Sequence, residues 1–202
     1  MIKAIIFDYG NVISSVDNDR FIKEISKATG KSGAELEQLI SSSSDELRKY
    51  ETGLITSDQF FERLIRQRGL NIDKESFIKI FTGRLTPKPE TLELIRKLKA
   101  GYKLGLLSNT NEWDYEYEIK QCDVFSLFDS VTVSFKVGAM KPDKKMYIDA
   151  LDKLGVQPDE SVYIDDVREY AGAAGSLGIK SIHYTSHEDL LRNLRKLDCL
   201  SG

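Results

Sequence analysis

The opening run Ile2-Lys3-Ala4-Ile5-Ile6-Phe7, followed at once by Asp8, constrains the fold of this chain more than any other stretch. It is short, mostly apolar, rich in β-branched residues and bounded by the turn-forming pair Gly10-Asn11. That composition suits a strand buried on both faces, as in a parallel sheet. Asp8 then falls at the carboxyl end of the strand, where an open α/β sheet collects its ligands. A carboxylate at that point is capped structurally, bound to a cation or used as a nucleophile. One strand does not decide among the three.

After Val12 the periodicity turns helical as far as Phe81. Phe21, Ile22 and Ile25 share one helical face, as do Leu36, Leu39 and Ile40, with a break over Thr29-Gly30-Lys31-Ser32-Gly33 between them. Thr56-Ser57-Asp58-Gln59 reads as a capping box opening a helix through Phe60, Phe61, Leu64 and Ile65. Gly69 stops it, and Ile72 to Phe81 offers one more helix. No strand is expected in this block. From Thr86-Pro87-Lys88-Pro89 onward, helices and strands alternate. The expected strands are Lys103–Leu107, Ser130–Ser134, Ser161–Ile164 and Lys180–Tyr184. Between them lie helices from Pro89 to Gly101, through Met146 and Leu154, and over Tyr170–Leu177, with a closing helix capped by Ser186. Alternation of this kind predicts the α/β class: a doubly wound, mainly parallel sheet built from residues 1–14 and 86–202. Residues 15–85 are then an all-helical insert, large enough for a subdomain.

A chain of 202 residues can bury a proper core, and 41% hydrophobic with 30% charged residues is the balance of an ordinary globular protein. The net charge of −3 supplies no basic excess for nucleic acid or an anionic membrane surface. No apolar run is long enough to span a bilayer, and Met1-Ile2-Lys3 does not open a signal peptide. Cys122 and Cys199 lie far apart with no C-x-x-C spacing, so free thiols and a cytoplasmic location are expected. His183 and His187 are the only histidines, too few to argue for a zinc centre. Tyr9, Trp113, Tyr115 and Tyr117 read as packing or surface before they read as pocket.

Asp8, Ser108-Asn109, Lys141 and Asp165-Asp166 each follow an expected strand directly or after a short loop. In a parallel sheet those ends lie along one edge, so residues far apart in sequence converge. Taken singly, the acidic and hydroxyl residues cap helices or turns, and Lys141 is a solvated loop lysine. Taken together they form a toolkit for phosphoryl transfer. Carboxylates around a water-filled point suit Mg²⁺, a hard cation that keeps several waters. Such an ion would cancel the repulsion between Asp8 and a phosphate dianion. Ser108 and nearby N–H groups would hold the non-bridging oxygens, and Lys141 would neutralise the transferring group. The product is an aspartyl-phosphate that water then cleaves.

The stretches Phe7-Asp8-Tyr9-Gly10-Asn11-Val12, Leu107-Ser108-Asn109, Lys141-Pro142 and Tyr163-Ile164-Asp165-Asp166 resemble, in that order, the motifs of the haloacid dehalogenase-like (HAD) superfamily. The resemblance covers the whole chain, and the helical insert is similar to that family's small cap. The opening motif and Tyr50-Glu51-Thr52-Gly53-Leu54-Ile55-Thr56 look most like the group containing bacterial α-D-glucose-1-phosphate phosphatases and epoxide-hydrolase N-terminal domains. The resemblance implies a Rossmann-like core and a Mg²⁺-dependent phosphatase of a small phosphorylated metabolite, foremost a sugar phosphate. Asp8 would be its nucleophile, and Ser108, Asn109 and Lys141 would bind phosphate. The metal would take Asp8, the Gly10 carbonyl and Asp166, with Asp165 as a further ligand or as the group orienting a metal-bound water. Oligomeric state is left open.

Two positions depart from the family's pattern. Most of its phosphatases carry a second Asp two residues after the nucleophile, acting as general acid and then base; Gly10 stands there instead. Glu51, in the cap stretch, is the expected stand-in. Tyr170 stands where the family usually has Asn or Asp after the acidic pair. These departures leave a second reading open, a degenerate member that binds a phosphorylated ligand or partner with little turnover. A third reading is a metal-free 2-haloacid dehalogenase, which has no need for two adjacent carboxylates beside an anionic substrate.

Overall fold

The computed structural model describes residues 1–66 and 68–200. The chain begins with β1 (Ala4–Phe7) and β2 (Ser14–Val16). It then runs through α1 (Asn18–Thr29), α2 (Gly33–Ser41), α3 (Ser44–Glu51), α4 (Ser57–Phe61) and α5 (Lys74–Thr82) before returning at β3 (Leu85–Pro87). Next come α6 (Pro89–Leu98), β4 (Lys103–Ser108), α7 (Glu112–Asp114), β5 (Ser130–Val133) and α8 (Ser134–Val137). The chain closes with α9 (Lys144–Leu154), β6 (Ser161–Asp165), α10 (Arg168–Ser176), β7 (Lys180–His183) and α11 (His187–Lys196).

Five strands form one parallel sheet in the order β5-β4-β1-β6-β7. The chain winds outward from β1 first on one side and then on the other, so the carboxyl end of β1 is where the strand order reverses. Open sheets of this kind bind ligands at that point. Phe7 pairs with Leu106 on one side and Ile164 on the other, so Asp8 emerges level with the ends of both neighbours. Its N–H donates to the Ile164 carbonyl at 2.9 Å.

The opening run is apolar throughout because both faces of β1 are covered. Ile5 and Phe7 enter one core with Leu104, Leu106, Ile95 and Leu190, while Ala4 and Ile6 enter the other with Leu107, Met146 and Ala174. Helices α1–α5 enclose a third core containing Ile25, Leu36, Tyr50, Phe60 and Phe77, into which Trp113 inserts from α7. The Trp113 ring meets Tyr50 and Phe60 edge to face at 5.4 and 5.8 Å, and its backbone N–H donates to the Tyr50 hydroxyl at 3.1 Å. The capping box at Thr56 forms as the sequence predicts, with Gln59 N–H on Thr56 Oγ1 at 3.2 Å and Thr56 N–H on Gln59 Oε1 at 3.0 Å.

Two local features differ from the sequence reading. β2 and β3 pair antiparallel at the two ends of the helical insert, Ser15 opposite Thr86, where no strand is expected. Three-residue strands carry too little alternation to register as a period. The helix from Pro89 stops at Leu98, short of Gly101. No helix among the described residues is long and apolar enough to cross a membrane.

Candidate active site

The ends of β1, β4 and β6, with the loop before α9, bring Asp8, Ser108, Lys141 and Asp165-Asp166 to one edge of the sheet. Lys141 Nζ donates to Asp8 Oδ1 at 2.7 Å and to Asp165 Oδ2 at 2.7 Å, and lies 3.4 Å from the Leu107 carbonyl oxygen. All three charged side chains are almost fully buried. Each depends on the others, because an unpaired charge at that depth is strongly destabilising. Burial pushes the Asp8 carboxyl above its ordinary range, Lys141 pulls it back, and the neighbouring Asp165 adds to the rise. Burial also works to lower the Lys141 ammonium, but Asp8 and Asp165 outweigh it and hold its pKa raised. The rings of Tyr163 and Tyr170 stand 5.7 and 5.2 Å from Nζ, adding cation–π attraction.

Both oxygens of Asp165 are engaged. Oδ2 accepts from Lys141 and from the Tyr163 hydroxyl, and Oδ1 accepts the Val167 N–H at 2.8 Å. Asp166 is half-buried, with Oδ2 accepting from Asn11 Nδ2 at 3.0 Å. Asn11 has a φ of 54°, a left-handed conformation that Asn tolerates better than most residues, and its Oδ1 accepts the Val16 N–H at 3.3 Å. One carboxylate oxygen from each of Asp8, Asp165 and Asp166 lies within 4.8 Å of the others. An all-oxygen set at this spacing fits a hard divalent cation. Asp165 accepts from three protein donors, whereas Asp8 and Asp166 each accept from one, so the last two have the most coordinating capacity to spare.

Ser108 is buried at the end of β4, its hydroxyl directed to the Asn109 carbonyl at 3.4 Å. The Asn109 side chain grips the backbone of Lys141 instead of facing outward: Oδ1 accepts the Lys141 N–H at 2.7 Å and Nδ2 donates to the Lys141 carbonyl at 3.2 Å. Glu51 has other neighbours. It ends α3 and lines a cavity among the insert's helices together with Arg84, which pairs with Asp114 at 2.6 Å. Burial, then the Asp114 charge, push the Glu51 carboxyl up to about 7 against the pull of Arg84. At Gly10 a β-carbon would meet Val16 Cγ2 at 3.8 Å and Asp8 Oδ2 at 3.9 Å, both ordinary contacts, so the position has room for a side chain.

Sequence reasoning passed over two members of the site, Tyr163 and Asn11. Tyr163 lies two residues before Asp165 on one strand, hence on the same face, and that parity was the available signal. For Asn11 the signal was the turn pair it forms with Gly10.

A family model described as haloacid dehalogenase-like hydrolase matches residues 2–178. The chain belongs to this family. It is similar to sesquiterpene phosphatase astK of Aspergillus oryzae, 28% identical over 201 residues that cover 96% of each chain. It is also similar to D-ribitol-5-phosphate phosphatase of Bacteroides thetaiotaomicron, 24% identical over 201 residues covering 96% of this chain and 97% of the other. Among solved structures, a HAD family enzyme of Bacteroides thetaiotaomicron in complex with magnesium and inorganic phosphate superposes with a TM-score of 0.82 at 23% identity, over 92% of this chain and 95% of that one. Coverage of that extent takes in the helical insert of this HAD-like hydrolase as well as its sheet.

Proposed function

We propose that this HAD-like hydrolase is a Mg²⁺-dependent phosphatase that cleaves a small phosphorylated metabolite through an aspartyl-phosphate on Asp8. The observation that carries the reading is the buried Asp8–Lys141–Asp165 cluster with Asp166 beside it. A carboxylate oxygen of Asp8 attacks phosphorus, the ester P–O bond breaks, and the departing alkoxide takes a proton. Water then cleaves the acyl phosphate, releasing inorganic phosphate and restoring the carboxylate. Lys141 fixes the nucleophile in place and offers its charge to the oxygens of the transferring group. Ser108 and the N–H groups of the loop after β4 receive the non-bridging oxygens. Asp8, the Gly10 carbonyl and Asp166 would hold Mg²⁺, which supplies neutralisation and alignment of the phosphate. Asp165 positions Lys141, and Asn109 does so through the backbone. Glu51, which lines the insert cavity beside Arg84, is the carboxyl this reading assigns as proton donor, and it would have to reach the leaving group from there.

Residues 15–85 form the cap in this reading, and residues 1–14 and 86–202 the catalytic core. The names of the two relatives support phosphoester hydrolysis and differ in substrate, so sugar phosphates form one arm of the test. Two buried free thiols, Cys122 and Cys199, fit a cytoplasmic enzyme. The experiment is inorganic phosphate release from aryl, alkyl and sugar phosphates with and without Mg²⁺. Release abolished by a chelator and by Asp8→Asn is expected; no release from any phosphomonoester at high enzyme concentration overturns the proposal.

Gly10 favours one other reading, a ligand-binding protein with little turnover. Its signature is tight Mg²⁺ or phosphate binding by calorimetry without phosphate release. The acidic pair opposes a dehalogenase, for which chloride release from 2-chloropropionate would be the sign.

A further inference from the structure

We propose that Asn11 is a positioning residue for the divalent cation, its side-chain amide holding the Asp166 carboxylate in place beside Asp8 and Asp165 for coordination. This rests on the metal site of the phosphatase reading above and adds to it a residue outside the ligand set. Asn11 lies on the turn that leads from β1 into β2. Its Nδ2 donates to Asp166 Oδ2 at 3.0 Å, and its Oδ1 accepts the Val16 N–H at 3.3 Å. Those partners fix which way round the group sits, because a backbone N–H only donates and an ionised carboxylate only accepts. One side chain thus ties the acidic group after β6 to the backbone of β2.

The backbone alone does not call for this side chain. Asn11 has a φ of 54°, a conformation that glycine adopts with less strain. What glycine lacks is the pair of hydrogen bonds. An aspartate would keep the acceptor for Val16 but set a second carboxylate against Asp166. Asparagine alone among the residues suited to left-handed backbone offers an acceptor on one side and donors on the other.

That the donor is neutral matters as much as where it stands. Asp8 and Asp165 both accept from the Lys141 ammonium, at 2.7 Å each, so their charge is already shared. Asp166 accepts from an amide instead, and is oriented without being neutralised. Lys88, the cation bonded to this turn, donates to the Asn11 backbone carbonyl and stands 4.7 Å from the centre of the Tyr184 ring. A hard divalent cation therefore meets the full charge of Asp166. The Asp166 backbone is secured separately, with His183 Nε2 3.0 Å from its carbonyl oxygen. Loss of the Asn11 side chain thus frees one carboxylate to rotate and leaves the loop in place, and a ligand that must be ordered on binding holds its metal less tightly.

The test is a calorimetric titration with Mg²⁺, without substrate, of the unmodified protein and of Asn11→Gly. The Kd of the variant is expected to rise about 10–100-fold, the usual effect of losing a group that orients a metal ligand. Its melting temperature in chelator should move by less than about 2 °C. Equal affinities overturn the inference, and a fall in the metal-free melting temperature beside them would mean that Asn11 only builds the turn. Hydrogen exchange on the unmodified protein decides the matter even if the variant does not fold. The Val16 N–H, bonded to the other end of the Asn11 amide, should exchange about fivefold or more slowly once Mg²⁺ is bound; an unchanged rate overturns the inference. Either of those failures leaves the phosphatase reading standing. No Mg²⁺ binding by the unmodified protein overturns the metal site of that reading and this inference with it.

Discussion

In the proposed reaction, a glycine two residues beyond Asp8 leaves the departing alkoxide without a local acid, and the backbone there does not require it. Gly10 lies outside the positive-φ region, and a β-carbon would make only ordinary contacts with Val16 and Asp8. Gly10→Asp should therefore fold and raise kcat for alkyl esters by about 10²–10⁴, the usual worth of general acid–base help. An aryl ester with a good leaving group should gain little. Glu51→Gln should lower kcat about tenfold or more in the native background and have little effect when combined with Gly10→Asp, because the two carboxyls would serve the same proton. Burial holds the Glu51 carboxyl up to about 7, so it stays protonated, as an acid must be, toward neutral pH. kcat should fall above about pH 7 and lose that fall in Glu51→Gln. Effects that simply multiply would remove Glu51 from the mechanism. The acidic residues were legible in the sequence because they punctuate strand ends, whereas Lys141, on the loop before α9, was legible only through its place in the family's motif order. The duties of Asn109 and Asp165 were not, since motif order carries no information on which way a side chain turns. Both face Lys141.

At the scale of elements, the insert meets the sheet side through backbone as well as through side chains. Gly53 follows α3 with a φ of 69°, and a β-carbon on it would collide with the carbonyl of Phe135 in α8. Gly53→Ala adds left-handed strain of about 1–2 kcal/mol and drives the turn after α3 away from α8. Glu51 lies two residues before that turn, so its position shifts as well. kcat/KM should drop about tenfold, while the melting temperature should fall by only about 2–8 °C. Unchanged kinetics would mean that the insert is seated elsewhere. The helices were readable from apolar spacing and from the Thr56–Gln59 box, and the strands from their β-branched runs. The β2–β3 ladder was not, being too short to show a period. Trp113 reads in sequence as one aromatic among several near a strand end. Its role as a peg from α7 into the insert's core depends on tertiary contacts that no local pattern encodes.

Across the whole molecule, buried acids set how stability responds to pH. Glu51, Asp114 and Glu118 are each held above their ordinary range, burial being the first cause in every case. The folded chain therefore binds more protons than the unfolded chain over the interval between their ordinary and raised values, and stability must fall as pH rises through it. For Glu51 the contribution is fully present below 4.5 and is lost as pH passes about 7. Asp45, Asp73 and Glu160, held below their ordinary range by hydrogen bonds, act in the opposite sense, but only in more acidic solution. In the presence of a chelator the melting temperature should decline from about pH 5 to about pH 8, and Glu51→Gln should make the decline shallower. Mg²⁺ acts on a separate term, by mass action on the folded state, raising stability by about 2.7 kcal/mol at a hundredfold excess over its Kd. That corresponds to about 5–10 °C for a chain of this size. Asp166→Asn should abolish the Mg²⁺ response while keeping the pH slope, and Glu51→Gln should do the reverse. Scanning fluorimetry across pH, with and without Mg²⁺, reads both effects in one experiment. A melting temperature that rises from about pH 5 to about pH 8 without metal would mean that the charged carboxylates are the stabilised forms, and burial would no longer account for Glu51, Asp114 and Glu118.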